Sequence, residues 1–187
     1  MEIFDVVDEY GFPSGETVER RHAHAEGVRH RTAHIWVARK VAGKWKVLLQ
    51  KRSLTKDSFP GRFDTSTAGH IQAGDEPLES AVRELKEELG ISAKPEELKF
   101  AGTFRIQYEE EFHQKLFKDN EIAFVYLYLG LKETDHVSVQ KEELECVEWF
   151  DLEEVYHECL MENRKFCVPL QGLETVKKYL CQQGRGS

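Results

Sequence analysis

The sequence predicts an α+β protein, a sandwich built around a mixed β-sheet. Three observations lead there. Strand-like runs arrive in pairs, helical patterns arrive singly between them, and 187 residues suffice for one domain with a substantial core. The steady strand–helix alternation of a doubly wound parallel sheet is missing from the pattern. One domain over 1–187 is expected, with its core over about 30–160.

The elements follow in order. Residues 1–29 are polar and carry one turn signal, Gly11-Phe12-Pro13-Ser14-Gly15, read as the bend of a short hairpin. The runs 32–38 and 45–50 read as strands flanking Ala42-Gly43-Lys44, a hairpin turn. Phe59-Pro60-Gly61 marks another turn. A helix is predicted over 77–89: Pro77 suits a first turn, and Gly90 a C-terminal stop. The runs 101–108 and 121–129 form a second strand pair, the latter rich in β-favouring residues. Between them, Glu109 to Lys115 reads as an exposed, charged loop able to gate a site. Val147 to Phe150 is a short strand, Asp151 caps a helix to about Met161, and a last helix covers about 172–181. The closing GRGS is expected to be a frayed tail or an added remnant.

Composition narrows the function. With 34 acidic against 26 basic residues the formal charge is -8, so there is no general attraction to nucleic acid polymers or anionic membranes. No apolar run approaches the ~20 residues of a membrane span. The N-terminal stretch lacks a signal core, and Cys146, Cys159, Cys167 and Cys181 include no CxxC pair. Free thiols and a cytoplasmic location are expected.

The helix at 77–89 carries the chemistry. At 100° per residue, Leu78, Ala81, Val82, Leu85 and Leu89 form an apolar stripe about 100° wide that faces a core. Glu84, Glu87 and Glu88 fan out beside it, with Arg83 across from them next to Glu87. Like charges at this spacing repel by roughly 0.2–0.5 kcal/mol per pair, which is tolerable on a solvated face. A clustered set of oxygens is also what a hard divalent cation requires.

The 23 residues from Gly69 to Ile91 resemble the Nudix box, G-x5-E-x7-R-E-U-x-E-E-x-G-U with U aliphatic. Gly69, Arg83, Glu84, Leu85, Glu87, Glu88, Gly90 and Ile91 match. Asp75 stands where the family has Glu, keeping the charge on a shorter arm. The resemblance implies a Nudix fold, a mixed β-sheet between α-helices (an α/β/α sandwich). It also implies a Mg²⁺-dependent (or Mn²⁺-dependent) hydrolase of the diphosphate linkage in a nucleoside diphosphate joined to X, or in a related organic diphosphate. By position, Glu84, Glu87, Glu88 and the Gly69 carbonyl would hold the metal. Arg83 would orient the glutamates, with Asp75 supporting. The general base could be Glu84, Glu87, Glu88 or the downstream Glu121, itself a further metal ligand.

Beyond the box, HRTAHIWV, LLQKRSLTKDSFPGRFDTSTAGH and KDNEIAFVYLY resemble the isopentenyl-diphosphate isomerase-like branch over about residues 3–150. That resemblance places Arg52 and Lys56 as a clamp on the substrate diphosphate. It places His30 and His70 at isomerase metal-ligand positions, with His22 or His24 near a third, and matches Asp119 and Glu121 to a carboxylate pair. Surface histidines and a solvated basic pair are the alternatives. The isomerase also needs a cysteine directly before the Gly-His pair; Ala68 stands there and no cysteine is expected nearby, while the Arg-Glu-x-x-Glu-Glu signature is intact. Hydrolysis is therefore expected over isomerisation or a non-catalytic binding module. The substrate would be a small diphosphate, bound by a monomer or homodimer. Trp36, Phe59, Phe63, Phe104, Tyr108, Phe112, Phe117, Phe124 and Tyr126 are candidates for a wall stacking on an organic ring.

Overall fold

A computed structural model describes residues 2–56, 58–112, 114–132 and 135–183. The GRGS tail, and His113 of the expected loop, lie outside them. The elements are β1 (Ile3–Val7), β2 (Pro13–Glu19), α1 (Arg20–Glu26), β3 (His30–Val41), β4 (Lys44–Arg52), β5 (Phe63–Asp64), β6 (Thr67–His70), α2 (Pro77–Leu89), β7 (Leu98–Phe112), β8 (Lys115–Tyr128), β9 (Leu144–Asp151), α3 (Leu152–Leu160) and α4 (Leu170–Gln183). Among the described residues, seven strands form one sheet in the order β5-β4-β3-β8-β7, with β6 on β3 and β9 on β4. The β3–β8 pairing is parallel and its neighbours are antiparallel, so the sheet is mixed.

Strand β3 runs through the centre and is buried on both faces from His30 to Ala38. Its residues alternate between two cores. Ala33, Ile35 and Val37 pack with Ala81, Leu85 and Leu89 of α2. Trp36 and Ala38 pack with Leu152, Val155, Leu173 and Val176 of α3 and α4. Helices therefore cover both faces, as a sandwich requires. A third small core of Phe4, Val18 and Ala23 fastens the β1–β2 hairpin and α1.

Local chemistry explains most boundaries. Ala42 and Gly43 take positive φ of 49° and 81°, the two-residue turn that matches strand twist between β3 and β4. Gly90 closes α2 at φ 68°, and the Asp151 carboxylate accepts from the Glu153 and Glu154 amides at the start of α3. Two expectations need correction. The polar first 29 residues hold a complete helix besides the hairpin. The supposed loop from Glu109 is mostly strand: β7 and β8 continue in register to Phe112↔Lys115, because ladder pairing outweighs the poor strand propensity of three glutamates.

Candidate active site

The sheet order brings distant residues together. Parallel pairing sets His30 opposite Glu121, and the β3–β6 register sets Ala33 opposite Gly69 and Thr32 opposite His70. These strand ends and α2 line a cavity of about 400 Å³ that includes Arg52, Lys56, Gly69, His70, Arg83, Glu84, Glu87, Glu88 and Glu121. His30 is fully buried, in contact with His70 and Glu121.

The α2 carboxylates form one end. Glu84 lies flat against Gly69, so closely that an added Cβ there would sit 2.2 Å from the Glu84 carboxyl carbon. Arg83 donates to Asp75 at 2.7 Å and stands 3.7 Å from Glu84, so its ion pairs are with Asp75 and Glu84 rather than Glu87. Glu88 is buried and accepts from the Thr67 hydroxyl and from Gln50 Nε2, both neutral donors. Glu87 is exposed. Burial pushes the Glu84 and Glu88 carboxyls up to about 7. Glu143 adds to that rise and sits in the same wall, paired with Lys56. No local pattern marks Glu143: it comes from the segment before β9, anchored on α2 where the Gln140 amide donates to the Glu88 carbonyl at 3.0 Å.

Imidazoles form the other end. Single ligand atoms of His24, His30, His70 and Glu121 all lie within 4.8 Å of one another. His24 completes the group, whereas His22 is exposed on α1. The His30 Nδ1–H donates to the Val28 carbonyl at 2.9 Å, which leaves Nε2 with its lone pair 3.6 Å from Glu121. Nε2 of His70 is also 3.6 Å from Glu121, and both Nε2 atoms are buried without a hydrogen-bond partner among the described residues. Burial lowers His24 to about 4 and holds His70 well below its usual value, so both are neutral. Burial opposes ionisation of Glu121, yet the imidazoles of His30 and His70 beside it hold its carboxyl far below the usual range. Its neighbour Asp119 is pushed up to about 9 by burial and by the Glu121 charge.

The expected phosphate clamp is occupied by protein. Arg52 donates from Nε to the Ser58 carbonyl at 3.0 Å, from Nη2 to Ser58 Oγ at 3.1 Å and from Nη1 to Asp64 at 3.1 Å. Of the aromatic candidates, Phe59, Tyr108 and Phe117 line the cavity, and Phe112 packs on Phe59 and Phe117 behind them. Trp36, Phe63, Phe104, Phe124 and Tyr126 belong to or pack on the cores. All four cysteines are free. Cys167 corrects the sequence reading, since it lines this cavity although far from Ala68 in the chain. Its thiol donates to the Phe63 carbonyl at 3.5 Å, and burial holds it protonated. His34, not singled out from sequence, also lines the cavity, buried and with Nδ1 unpartnered among the described residues.

A glycine-seated carboxylate helix packed on a mixed sheet defines the Nudix fold, and the chain belongs to the NUDIX domain family, whose model matches residues 28–168. It is 40% identical over 143 residues to an uncharacterised Nudix hydrolase of Clostridium acetobutylicum, covering 76% of this chain and 66% of that one. It is 39% identical over 155 residues to Nudix hydrolase 3 of Arabidopsis thaliana, covering 82% of this chain and 20% of that protein. The match thus spans less than two thirds of either relative. The crystal structure of DR0079 from Deinococcus radiodurans shares the fold, with a TM-score of 0.62 at 18% identity over 86% of this chain and 90% of that one. Among the described residues no helix is long and apolar enough to cross a membrane.

Proposed function

We propose that the chain hydrolyses the diphosphate linkage of an organic diphosphate, a nucleoside diphosphate joined to a second group or a related compound. Mg²⁺, or Mn²⁺, would be held by Glu84, Glu87, Glu88 and the Gly69 carbonyl. One observation carries this reading: Glu88 is buried with only neutral groups bonded to it, one helical turn from the half-buried Glu84. Burying a carboxylate so, with a second close by, is costly unless a cation joins them. The donor set, all oxygen, fits a hard divalent ion.

A cation bound there supplies charge neutralisation at the diphosphate and activation of water. The protein's own residues do the rest. Gly69, lacking a side chain, lets Glu84 lie against the strand, and Arg83 with Asp75 fixes its azimuth. Thr67 and Gln50 aim Glu88. Phe59, Tyr108 and Phe117 offer a ring surface to the organic group and keep water from the chemistry. The proton of the attacking water passes to one of Glu84, Glu87, Glu88, Glu121 or Glu143, all of which line the cavity. Lys56 can reach a phosphate by leaving Glu143, whereas Arg52 would act chiefly by holding the 53–62 loop.

A second reading concerns the imidazole end. We infer a borderline metal ion at His24, His30, His70 and Glu121, because two unpartnered buried Nε2 atoms converge on one carboxylate and the His30 tautomer is fixed from behind. This arrangement supports placing the chain in the isomerase-like branch, while Ala68 and the intact glutamate trio favour hydrolysis within it. Metal content of the purified protein, and its loss in His70→Ala, tests the second site without an activity assay.

The main test is a panel of organic diphosphates, scored for phosphate release with Mg²⁺ and after chelation, for wild type and Glu88→Gln. Mg²⁺-dependent release that falls by orders of magnitude in the variant is expected. Chelator-insensitive release, or full activity in Glu88→Gln, refutes the assignment. Double-bond migration in isopentenyl diphosphate without phosphate release would instead establish an isomerase.

A further inference from the structure

A second cavity, of about 470 Å³, adjoins the first and shares Arg20, His24 and Phe117 with it. It lies between helix α1 and the far end of the β7–β8 hairpin. Each cavity alone is near the lower part of the ~300–1,000 Å³ that small-molecule sites span. The two meet along Arg20 and the stacked rings of His24 and Phe117, with the second lying beyond them from the carboxylate end.

The chemistry changes from one cavity to the other. The first cavity is lined by seven carboxylate residues: Glu2, Asp64, Glu84, Glu87, Glu88, Glu121 and Glu143 besides a protonated Asp119. The second has none among its described lining residues; its charged groups are Arg20, Arg21 and Lys115. Arg20 is partly committed, donating to Glu2 at 2.5 Å. Arg21 and Lys115 are exposed and make no ion pair among the described residues. In a chain of net charge -8, a cationic recess free of carboxylates runs against the general field and is suited to an anion. Its floor is apolar, from Phe112, Leu116 and Phe117, with Leu116 56% exposed. Between the two ends stand rings. Phe117 stacks on His24 at 4.4 Å and lies 6.3 Å from Tyr108, which is 5.8 Å from Phe59.

We propose that this annex binds a second anionic group, a phosphate, at the end of the substrate remote from the scissile diphosphate. This rests on the hydrolase reading and names its substrate class: organic diphosphates whose ring-bearing portion crosses Tyr108 and Phe117 and ends in a further phosphate. Arg21 and Lys115 meet that phosphate, and Leu116 covers the organic segment before it. The extended hairpin, longer than the sequence pattern indicates, is what carries Lys115 and Leu116 opposite α1.

Matched probes differing by one phosphate test it: NADPH against NADH, and coenzyme A against dephospho-coenzyme A. Binding is measured by calorimetry with Ca²⁺ in place of Mg²⁺, and kcat/KM is measured separately with Mg²⁺. In at least one pair the phosphorylated member should bind about tenfold more tightly, a difference of about 1.4 kcal/mol. That ratio should shrink at high salt and fall to about one in Arg21→Ala/Lys115→Ala. Equal binding within both pairs, no binding of either phosphorylated member at millimolar concentration, or a preference that survives the double substitution overturns the annex. The two readings fail separately. A phosphate preference without Mg²⁺-dependent hydrolysis removes the hydrolase and leaves the annex; hydrolysis without the preference does the reverse.

Discussion

Replacing Gly69 with alanine tests the proposed metal seat with a single methyl group. Its Cβ would fall 2.2 Å from Cδ of Glu84 and 2.4 Å and 2.6 Å from the two oxygens. Ordinary contact begins near 3.4 Å, so the carboxyl group must retreat by roughly 1.2 Å. The backbone at Gly69 is not in the left-handed region, so alanine fits its conformation without strain. What must give is the end of a flexible side chain, at a cost of about 0.5–1.5 kcal/mol for an off-rotamer glutamate. Folding should therefore survive. Function should not: a displacement of about 1 Å in a positioned group costs on the order of 100-fold, or about 2.7 kcal/mol. Two assays read this out. Mg²⁺-dependent phosphate release should fall by about that factor. Thermal stabilisation by Mg²⁺, supplied at 100 times the wild-type Kd, should drop from about 2.7 to about 0.4 kcal/mol if affinity falls 100-fold. For a chain of this size that is a loss of roughly 5–9 °C in the Mg²⁺-induced shift of Tm. Wild-type turnover and an undiminished Mg²⁺ shift in a folded Gly69→Ala protein would show that Glu84 does not need its seat, and the metal assignment would lose its main support.

Two further perturbations bear on the same cavity. Burial raises the Glu88 carboxyl from 4.5 to about 7, so the folded metal-free protein holds that proton more tightly than the unfolded chain. The stability this contributes is complete below 4.5 and is lost as pH rises through about 7. Glu88→Gln, a permanent mimic of the protonated form, should gain on wild type across that interval by up to about 3 kcal/mol. Denaturant melts without metal at pH 5 and 7.5 measure it, and a pH-independent difference between the two proteins contradicts the burial argument. Arg52→Ala removes three hydrogen bonds and strands the half-buried Asp64. A stability loss on the order of 1–3 kcal/mol is expected, together with a raised KM as the 53–62 loop loosens. Arg52→Lys should not restore either, because a single ammonium cannot reproduce the fork. Unchanged stability and KM in Arg52→Ala would take this residue out of the site.

How much of this the sequence disclosed depends on the range of each interaction. Helix α2 was legible to the residue, since its stripe, its Pro77 start and its Gly90 stop are all local signals. Gly69 and the glutamate trio were legible as a spaced motif. Partner choice was not. Arg83 reads as a neighbour of Glu87 on a helical wheel, yet it reaches back across the turn to Asp75, because side-chain length lets it leave its own face. Arg52 reads as a free cation before a turn; only the fold shows that Ser58 and Asp64 already use it. Glu143 and Cys167 carry no local signal at all and reach the cavity through long-range packing before β9 and before α4. The choice of His24 over His22 required knowing that 20–26 is a helix, and seven residues with few apolar positions give no usable periodicity.

The alternation within β3 and β6 explains how one cavity can hold two chemically distinct ends. Along β3, Ala33, Ile35 and Val37 face α2, so the opposite set, His30, Thr32, His34 and Trp36, faces the other way. Strand β6 inherits the same division through its register. Gly69, opposite Ala33, looks toward α2 and gives Glu84 its seat; His70, opposite Thr32, joins His30 and Glu121. Two adjacent residues thus serve the two proposed ligand sets, one of oxygens and one rich in imidazole nitrogen. Slipping β6 by one residue would aim His70 at Glu84 and leave Glu121 with a glycine, which ruins both ends at once. Pairing of β6 along the buried β3 opposes this, because such a slip would also turn the buried Thr67 away from Glu88. The stability of the central strand is therefore what keeps the proposed metal seat and the imidazole cluster apart, and a destabilised β3 should damage both before the protein unfolds.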